Sequence, residues 1–200
     1  MPEDSPQILG ITGNIACGKS LVSSMLSELG ADVIDADLVA HEIMKPGSET
    51  LVRIAERFGQ GVLNEDGSLN RPALGEIVFS DPDALTDLEA ITHPRTVEAI
   101  LGRARASQAS VVVIDAVKLY ESGLSDHCRR TWVIICDPDI QKQRLIDRNQ
   151  ITDEDAERRI SAQPPQEDKV RRADAIIDNS GDIDDTREQV IQAWKSFNEF

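Results

Sequence analysis

Short apolar runs alternate along the chain with stretches in which apolar residues recur every three or four positions. The run Gln7–Thr12 reads as a buried strand, and from Lys19 onward Val22, Met25, Leu26 and Leu29 fall at helical spacing until Gly30 ends the pattern. Residues 31–35, the β-branched run Val111–Asp115, residues 132–136 and Ala175–Asp178 predict four more strands. Helical stripes lie between them, as in Leu51, Ile54, Ala55 and Phe58, and again near the end in Thr186, Val190, Ala193, Trp194 and Phe197. Strands alternating with helices predict an α/β fold built on a five-stranded parallel sheet.

Two stretches interrupt the alternation. Residues 46–108 are helix-rich and broken at Pro46-Gly47, Gly59, Asp66-Gly67, Asp81-Pro82 and His93-Pro94, so an inserted helical lobe is expected there. Residues 139–172 are polar, helical and dense in arginine, and read as a helical lid. The core is expected over about 7–45, 109–138 and 173–200, the whole chain forming one domain with these two insertions. It carries no internal repeat and no low-complexity segment.

Composition narrows the function classes. With 40% hydrophobic residues in 200, the chain can bury a sizeable core. Its 21 Lys and Arg against 36 Asp and Glu give a formal net charge of -15, which repels nucleic acid and anionic membranes. An anionic ligand therefore needs a local cationic site. No apolar run approaches the ~20 residues of a membrane span, and Met1-Pro2-Glu3-Asp4-Ser5 lacks the features of a signal peptide, so a cytoplasmic protein is expected. Cys17, Cys128 and Cys136 are odd in number and widely spaced, which favours free thiols over disulfides or a zinc site.

The decisive local pattern is Gly13-Asn14-Ile15-Ala16-Cys17-Gly18-Lys19-Ser20, which matches G-x-x-x-x-G-K-[ST] between a predicted strand and a predicted helix. Glycines let backbone N–H groups curl around phosphate oxygens, and the helix that follows aims the positive end of its dipole at the same anion. Lys19 can reach the β- and γ-phosphates of a nucleoside triphosphate, and the Ser20 hydroxyl can ligate Mg²⁺. No Asn-Lys-x-Asp segment that would read guanine occurs anywhere in the chain.

After the second strand come Asp35-Ala36-Asp37 and Leu38-Val39-Ala40-His41. Further segments follow in order: Phe58-Gly59, Arg71 with Ile77-Val78-Phe79, His93-Pro94, Tyr120-Glu121-Ser122-Gly123, Gln143-Arg144-Leu145 with Arg148, Arg159-Ile160 with Gln163, and Ile177-Asp178-Asn179-Ser180-Gly181. In that order and spacing the chain resembles the dephospho-CoA kinases over about residues 7–194. The resemblance implies transfer of the ATP γ-phosphoryl group to the ribose 3′-hydroxyl of dephospho-CoA, with ATP and Mg²⁺ as donor and metal and small molecules as the only partners. Two rival readings stand beside it: a phosphate-loop kinase of another small acceptor, such as a nucleoside monophosphate or sugar acid, and a nucleotide-binding protein without catalysis.

A sugar hydroxyl is a poor nucleophile, so a carboxylate beyond the second strand is needed as proton acceptor, and Asp37 is the candidate. Asp35 is placed to orient the loop or a metal-bound water; both aspartates also suit helix capping. Arg144 and Arg148, four apart, share a helix face and match the lid of the family, Arg144 as the phosphate contact. Arg158 reads as a solvated partner of nearby acids. The resemblance assigns Asn179, Ser180 and Gly181 to the adenine side, and His41, Arg71, Leu74, His93 and Tyr120 to the acceptor side; Lys118, near the end of the third strand, is a further candidate there, to contact substrate phosphate or snorkel outward. Asp115, ending the third strand, is the candidate for a water-mediated Mg²⁺ contact. Leu21 departs from the family, which usually has threonine there, and so removes one hydroxyl contact to the α-phosphate. Val117-Lys118-Leu119 also departs, placing a lysine beside the third strand.

Overall fold

The computed structural model describes residues 6–199. Its strands are β1 (Gln7–Thr12), β2 (Asp32–Asp35), β3 (Val111–Asp115), β4 (Arg130–Ile135) and β5 (Ala175–Asp178). Its α-helices are α1 (Lys19–Glu28), α2 (Ala36–Glu42), α3 (Glu49–Phe58), α4 (Arg71–Ser80), α5 (Pro82–Ala106), α6 (Pro138–Asn149), α7 (Asp153–Ser161), α8 (Gln166–Val170) and α9 (Ile183–Asn198). The strands form one sheet in the order β2-β3-β1-β4-β5. β1 runs parallel to both neighbours, with Ile11 opposite Asp115 on β3 and Trp132 on β4, and β5 runs parallel to β4. This is the parallel α/β fold expected from the alternation of strand and helix patterns.

The chain divides into two compact units, residues 35–103 and the remainder. In the sheet unit the central strands are buried on both faces, which is why they read as continuous apolar runs. Leu9, Ile11, Val113, Trp132, Ile134 and Ile177 from the strands pack with Val22 and Leu26 of α1 and Val190 and Phe197 of α9. Residues of this kind each contribute roughly 1.5–3 kcal/mol on burial, so the sheet is a firm base for the loops at its strand ends. β4 begins two residues before the expected apolar run. Arg130 and Thr131 enter the ladder opposite Leu9 and Gly10, and the Asp174 carboxylate accepts the Thr131 N–H at 2.7 Å. Polar residues thus join the strand because their partners are polar or main-chain groups.

Three successive strand ends supply the site. β1 runs into Gly13, β4 into Asp137, whose carboxylate caps α6 through Asp139 N and Ile140 N, and β5 into Asn179. In open α/β sheets ligands gather at this edge.

The second unit holds α2 to α5 around its own core of Leu51, Ile54, Val62, Leu69, Leu74 and Val78. Side chains of Asp35, Ser48 and Asn70 cap α2, α3 and α4. The sequence suggests a helix break at His93-Pro94, but α5 continues through it for 25 residues. Leu85, Leu88 and Ile91 pack on the core of the unit ahead of the proline, and that anchorage offsets the hydrogen bond Pro94 removes. Among the described residues no helix is long and apolar enough to cross a membrane.

Candidate phosphate-binding site

Residues 13–18 link β1 to α1 through a backbone few residue types tolerate. Gly18 has φ 98° and Ala16 φ 61°, both left-handed. A Cβ on Gly13 would stand 2.4 Å from the Ile134 carbonyl oxygen, and one on Gly18 would stand 2.0 Å from Asn179 Nδ2. Both motif glycines are therefore required by close neighbours as well as by a ligand. Among the described residues no side chain caps the N-terminus of α1. Its first N–H groups and the positive end of its dipole are left to serve an anion.

The loop is held by long-range polar contacts. Asn179 donates from Nδ2 to the Cys17 carbonyl at 2.8 Å, while its Oδ1 accepts the Thr186 hydroxyl at 3.0 Å. Ile15 is gripped on both sides, its N–H donating to Gln163 Oε1 and its carbonyl accepting from Gln141 Nε2, each at 2.7 Å. Asn14 Nδ2 donates to the Pro164 carbonyl at 3.2 Å. Asn14 Oδ1 is buried and has no hydrogen-bond partner among the described residues. Such a scaffold fixes the donors before an anion arrives, the arrangement from which electrostatic stabilisation gains most.

Cys17 is fully buried, as is nearly all of Cys136. The Cys136 thiol donates to the Cys17 sulfur, and Cys17 donates onward to Gln166 Oε1 at 3.4 Å. That contact depresses Cys17 and, with burial, raises Cys136. Inside the loop Cys17 thus serves as a small core residue and a hydrogen-bonding link.

A cleft of about 570 Å³ opens over this loop, lined by Asn14, Ala16, Gly18, Lys19, Ser20, Arg144, Asp147 and Arg148. Three cations therefore face one opening in a protein of net charge -15. Arg144 is oriented by a 2.9 Å bond from its guanidinium to the Asn179 carbonyl, and Arg148 by a 2.9 Å bond to Asn149. A second cleft of about 800 Å³ shares Gly18 and Arg144 and extends past Leu21, Asn179, Gly181 and Ile183. A polyphosphate can lie in the first while an apolar, flat group enters the second.

Residues 7–185 match the family profile of dephospho-CoA kinase. The chain belongs to the dephospho-CoA kinase family. A dephospho-CoA kinase of Symbiobacterium thermophilum is 48% identical over 194 residues, covering 95% of this chain and 81% of the relative. One of Geobacter metallireducens is 43% identical, covering 94% and 95%. Among solved structures, a Thermus thermophilus protein superposes with a TM-score of 0.85 at 29% identity, covering 97% of this chain and 98% of the other. The Campylobacter jejuni dephospho-CoA kinase does so with a TM-score of 0.63 at 25% identity, covering 98% and 99%. Family membership makes the chain a kinase with a hydroxyl group as acceptor.

The remaining candidates of a dephospho-CoA kinase are placed as follows. Asp115 accepts the Ser23 hydroxyl at 2.8 Å, in the sheet unit with Lys19 and Ser20. Lys118 is exposed in the turn after β3. Leu21 packs against the core and reaches the second cleft. Ser180 is engaged by the Asp178 carboxylate at 2.5 Å and by Asp137 N at 2.8 Å. Gly181 is confined by Asp185, whose Oδ2 would lie 2.7 Å from an added Cβ. In the other unit Asp37, His41 and Arg71 are exposed and His93 half-buried.

Three expectations change. Tyr120 is buried, its hydroxyl bonded to Thr131 Oγ1 at 3.0 Å and its ring covered by the Arg172 guanidinium at 4.0 Å, so it packs instead of meeting an acceptor. Leu74 is buried in the core of its own unit. The Asn179 side chain spends both its ends on Cys17 and Thr186, its N–H donates to the Ile135 carbonyl and its own carbonyl accepts from Arg144, so it holds the loop and the arginine. Arg158 pairs with Asp155 at 2.6 Å on an exposed face, as a solvated helix position should.

Gln141, Gln163 and Lys169 were not assigned roles from sequence, and each holds the loop or its surroundings. A glutamine in a polar helix carries no periodic signal. Nor does Lys169, in the five-residue helix Gln-Glu-Asp-Lys-Val.

Proposed function

We propose that this chain phosphorylates the ribose 3′-hydroxyl of dephospho-CoA with ATP, giving coenzyme A and ADP and completing coenzyme A synthesis in the cytoplasm. The observation that carries the proposal is the cleft in which the phosphate loop, Lys19, Arg144 and Arg148 converge, in a chain of this family. The loop N–H groups and Lys19 hold the β- and γ-phosphates. Arg144, already oriented by Asn179, meets the charge that grows on the phosphoryl oxygens as the bond to the leaving oxygen lengthens.

Mg²⁺ fits the oxygen donors present. It keeps several waters and takes one or two protein ligands beside the phosphates, and the Ser20 hydroxyl with the Asp115 carboxylate, through water, would hold it. Bound there, it would neutralise phosphate charge. Asp37, two residues beyond β2 in the first turn of α2, is the base that receives the 3′-hydroxyl proton. The neighbouring Asp35 carboxylate is occupied by the Leu38 N–H at 2.9 Å, which leaves the role to Asp37. Arg71 and His93 serve the acceptor, and Lys118 its phosphate end.

The test is ADP release with ATP and Mg²⁺, using dephospho-CoA, nucleoside monophosphates and gluconate as acceptors in parallel. Release with dephospho-CoA alone is expected. Turnover with another acceptor and none with dephospho-CoA would replace this reading by a kinase of that acceptor.

A further inference from the structure

Ser23 lies in α1, one helical turn after Lys19 and on the same face as Ser20. Its hydroxyl is 2.8 Å from Asp115 Oδ2 and 3.0 Å from the Lys19 carbonyl oxygen. A serine has one proton to give. The Lys19 carbonyl already faces the Ser23 N–H across the helical turn, whereas a carboxylate makes the shorter and stronger bond. The proton therefore goes to Asp115.

This bond joins two parts of the fold that meet at the phosphate loop. Asp115 ends β3 with Ile11 of β1 opposite, and α1 follows the loop that β1 leads into. Ser20 lines the phosphate cleft. Residues three apart on a helix are neighbours, with Cβ atoms about 5–6 Å apart, so Ser23 holds the Asp115 carboxylate beside that hydroxyl. Helix stability gives no reason for a serine at this position. Alanine is the better helix former, and a hydroxyl turned back to a carbonyl one turn earlier slightly weakens a helix. A carboxylate that must keep one orientation does give a reason.

We propose that Ser23 is a positioning residue for the Mg²⁺ of the bound donor, holding the Asp115 carboxylate where it accepts from a metal-bound water. Groups that orient a metal contact weigh on metal affinity without touching the metal. The effect of Ser23 is therefore confined to ATP that carries Mg²⁺, whereas a structural role in α1 would weaken ATP with and without the metal alike. This rests on the assignment of Asp115 to Mg²⁺, which Asp115→Asn tests by itself.

The experiment measures ATP affinity by calorimetry in excess Mg²⁺ and again in EDTA, for the parent, Ser23→Ala, Ser23→Thr and Asp115→Asn. Thermal unfolding is followed without ligand. Asp115→Asn should reduce the gain in affinity that Mg²⁺ brings by about tenfold or more. Ser23→Ala should reduce it by about 3- to 10-fold, the worth of one hydrogen bond, with affinity in EDTA within about twofold of the parent. Its unliganded midpoint should equal or exceed that of the parent. Ser23→Thr, which keeps the hydroxyl, should recover most of the gain. A loss in Asp115→Asn beside a parent-like gain in Ser23→Ala would overturn the proposal and leave the metal assignment standing. Equal losses in the two media for Ser23→Ala, or a Thr variant no better than Ala, would overturn it as well. A parent-like gain in Asp115→Asn would remove the metal assignment and the proposal with it.

Discussion

Gly18 shows how much a single position in this loop has to satisfy. It needs φ 98°, and a Cβ there would strike Asn179 Nδ2 at 2.0 Å. Gly18→Ala should therefore break the Asn179 to Cys17 contact and cost about 2–4 kcal/mol, combining left-handed strain with overpacking. Urea unfolding of the variant checks the loss, and ATP affinity should drop with it. Asp37 makes a different demand, because its work is chemical. Asp37→Asn should lower kcat by about 10²- to 10⁴-fold while ATP affinity stays near the parent value. Turnover within a few-fold of the parent would remove Asp37 as the base. At this scale the motif glycines and Lys19 were legible because their types are rare at that spacing. Asn179 was legible as a site residue, but its role was not. A carboxamide looks the same whether it reads a base or clamps a loop.

Among the elements, α5 departs most from its sequence pattern. Proline in a helix interior removes one hydrogen bond and crowds the preceding turn, yet the helix runs from Pro82 to Ala106. The Thr92 and Thr96 hydroxyls bond back to the Leu88 and Thr92 carbonyls, at 2.8 and 2.9 Å, beside the interruption. Pro94→Ala should restore the ladder and raise stability by roughly 1–3 kcal/mol, the helix gain less the entropy regained by the unfolded chain. A lowered unfolding midpoint in calorimetry would mean the proline is needed for packing. Lys142 of α6 joins Asp153 and Glu157 of α7 at 2.8 and 2.9 Å, and Thr152 caps α7 through Asp155 N. Thr152-Asp153-Glu154-Asp155 is a local cap pattern, a hydroxyl followed by acids in the first turn. The ties between helices have no such local sign, since many acids could have met that lysine.

For the molecule as a whole, the partly buried Cys128 thiol sets an alkaline limit. Burial, with the Asp126 charge, pushes the Cys128 thiol up to about 12, while an unfolded thiol ionises near pH ~8.5. The unfolded chain then releases its proton first. Stability from this group is complete below about pH 8.5 and is lost as pH rises toward 12, by up to about 1.4 kcal/mol per pH unit. Cys128→Ala should flatten the fall of the unfolding midpoint between about pH 9 and 11. Parallel curves for the two proteins would refute the assignment.

The sequence by itself determined the alternation of strands and helices, the strand bounds at β1, β3 and β5, and the phosphate loop. These follow from local periodicity and from residue types that few other backbones require. Only the tertiary structure decided what holds the loop. Cys17 and Asn179 lie 162 positions apart, and Ile15 lies 148 from Gln163. Local pattern carries no information about such pairs. It also could not tell which polar residues are buried, because Lys169, Gln141 and Asn179 become interior only when separate strand ends meet at one edge of the sheet.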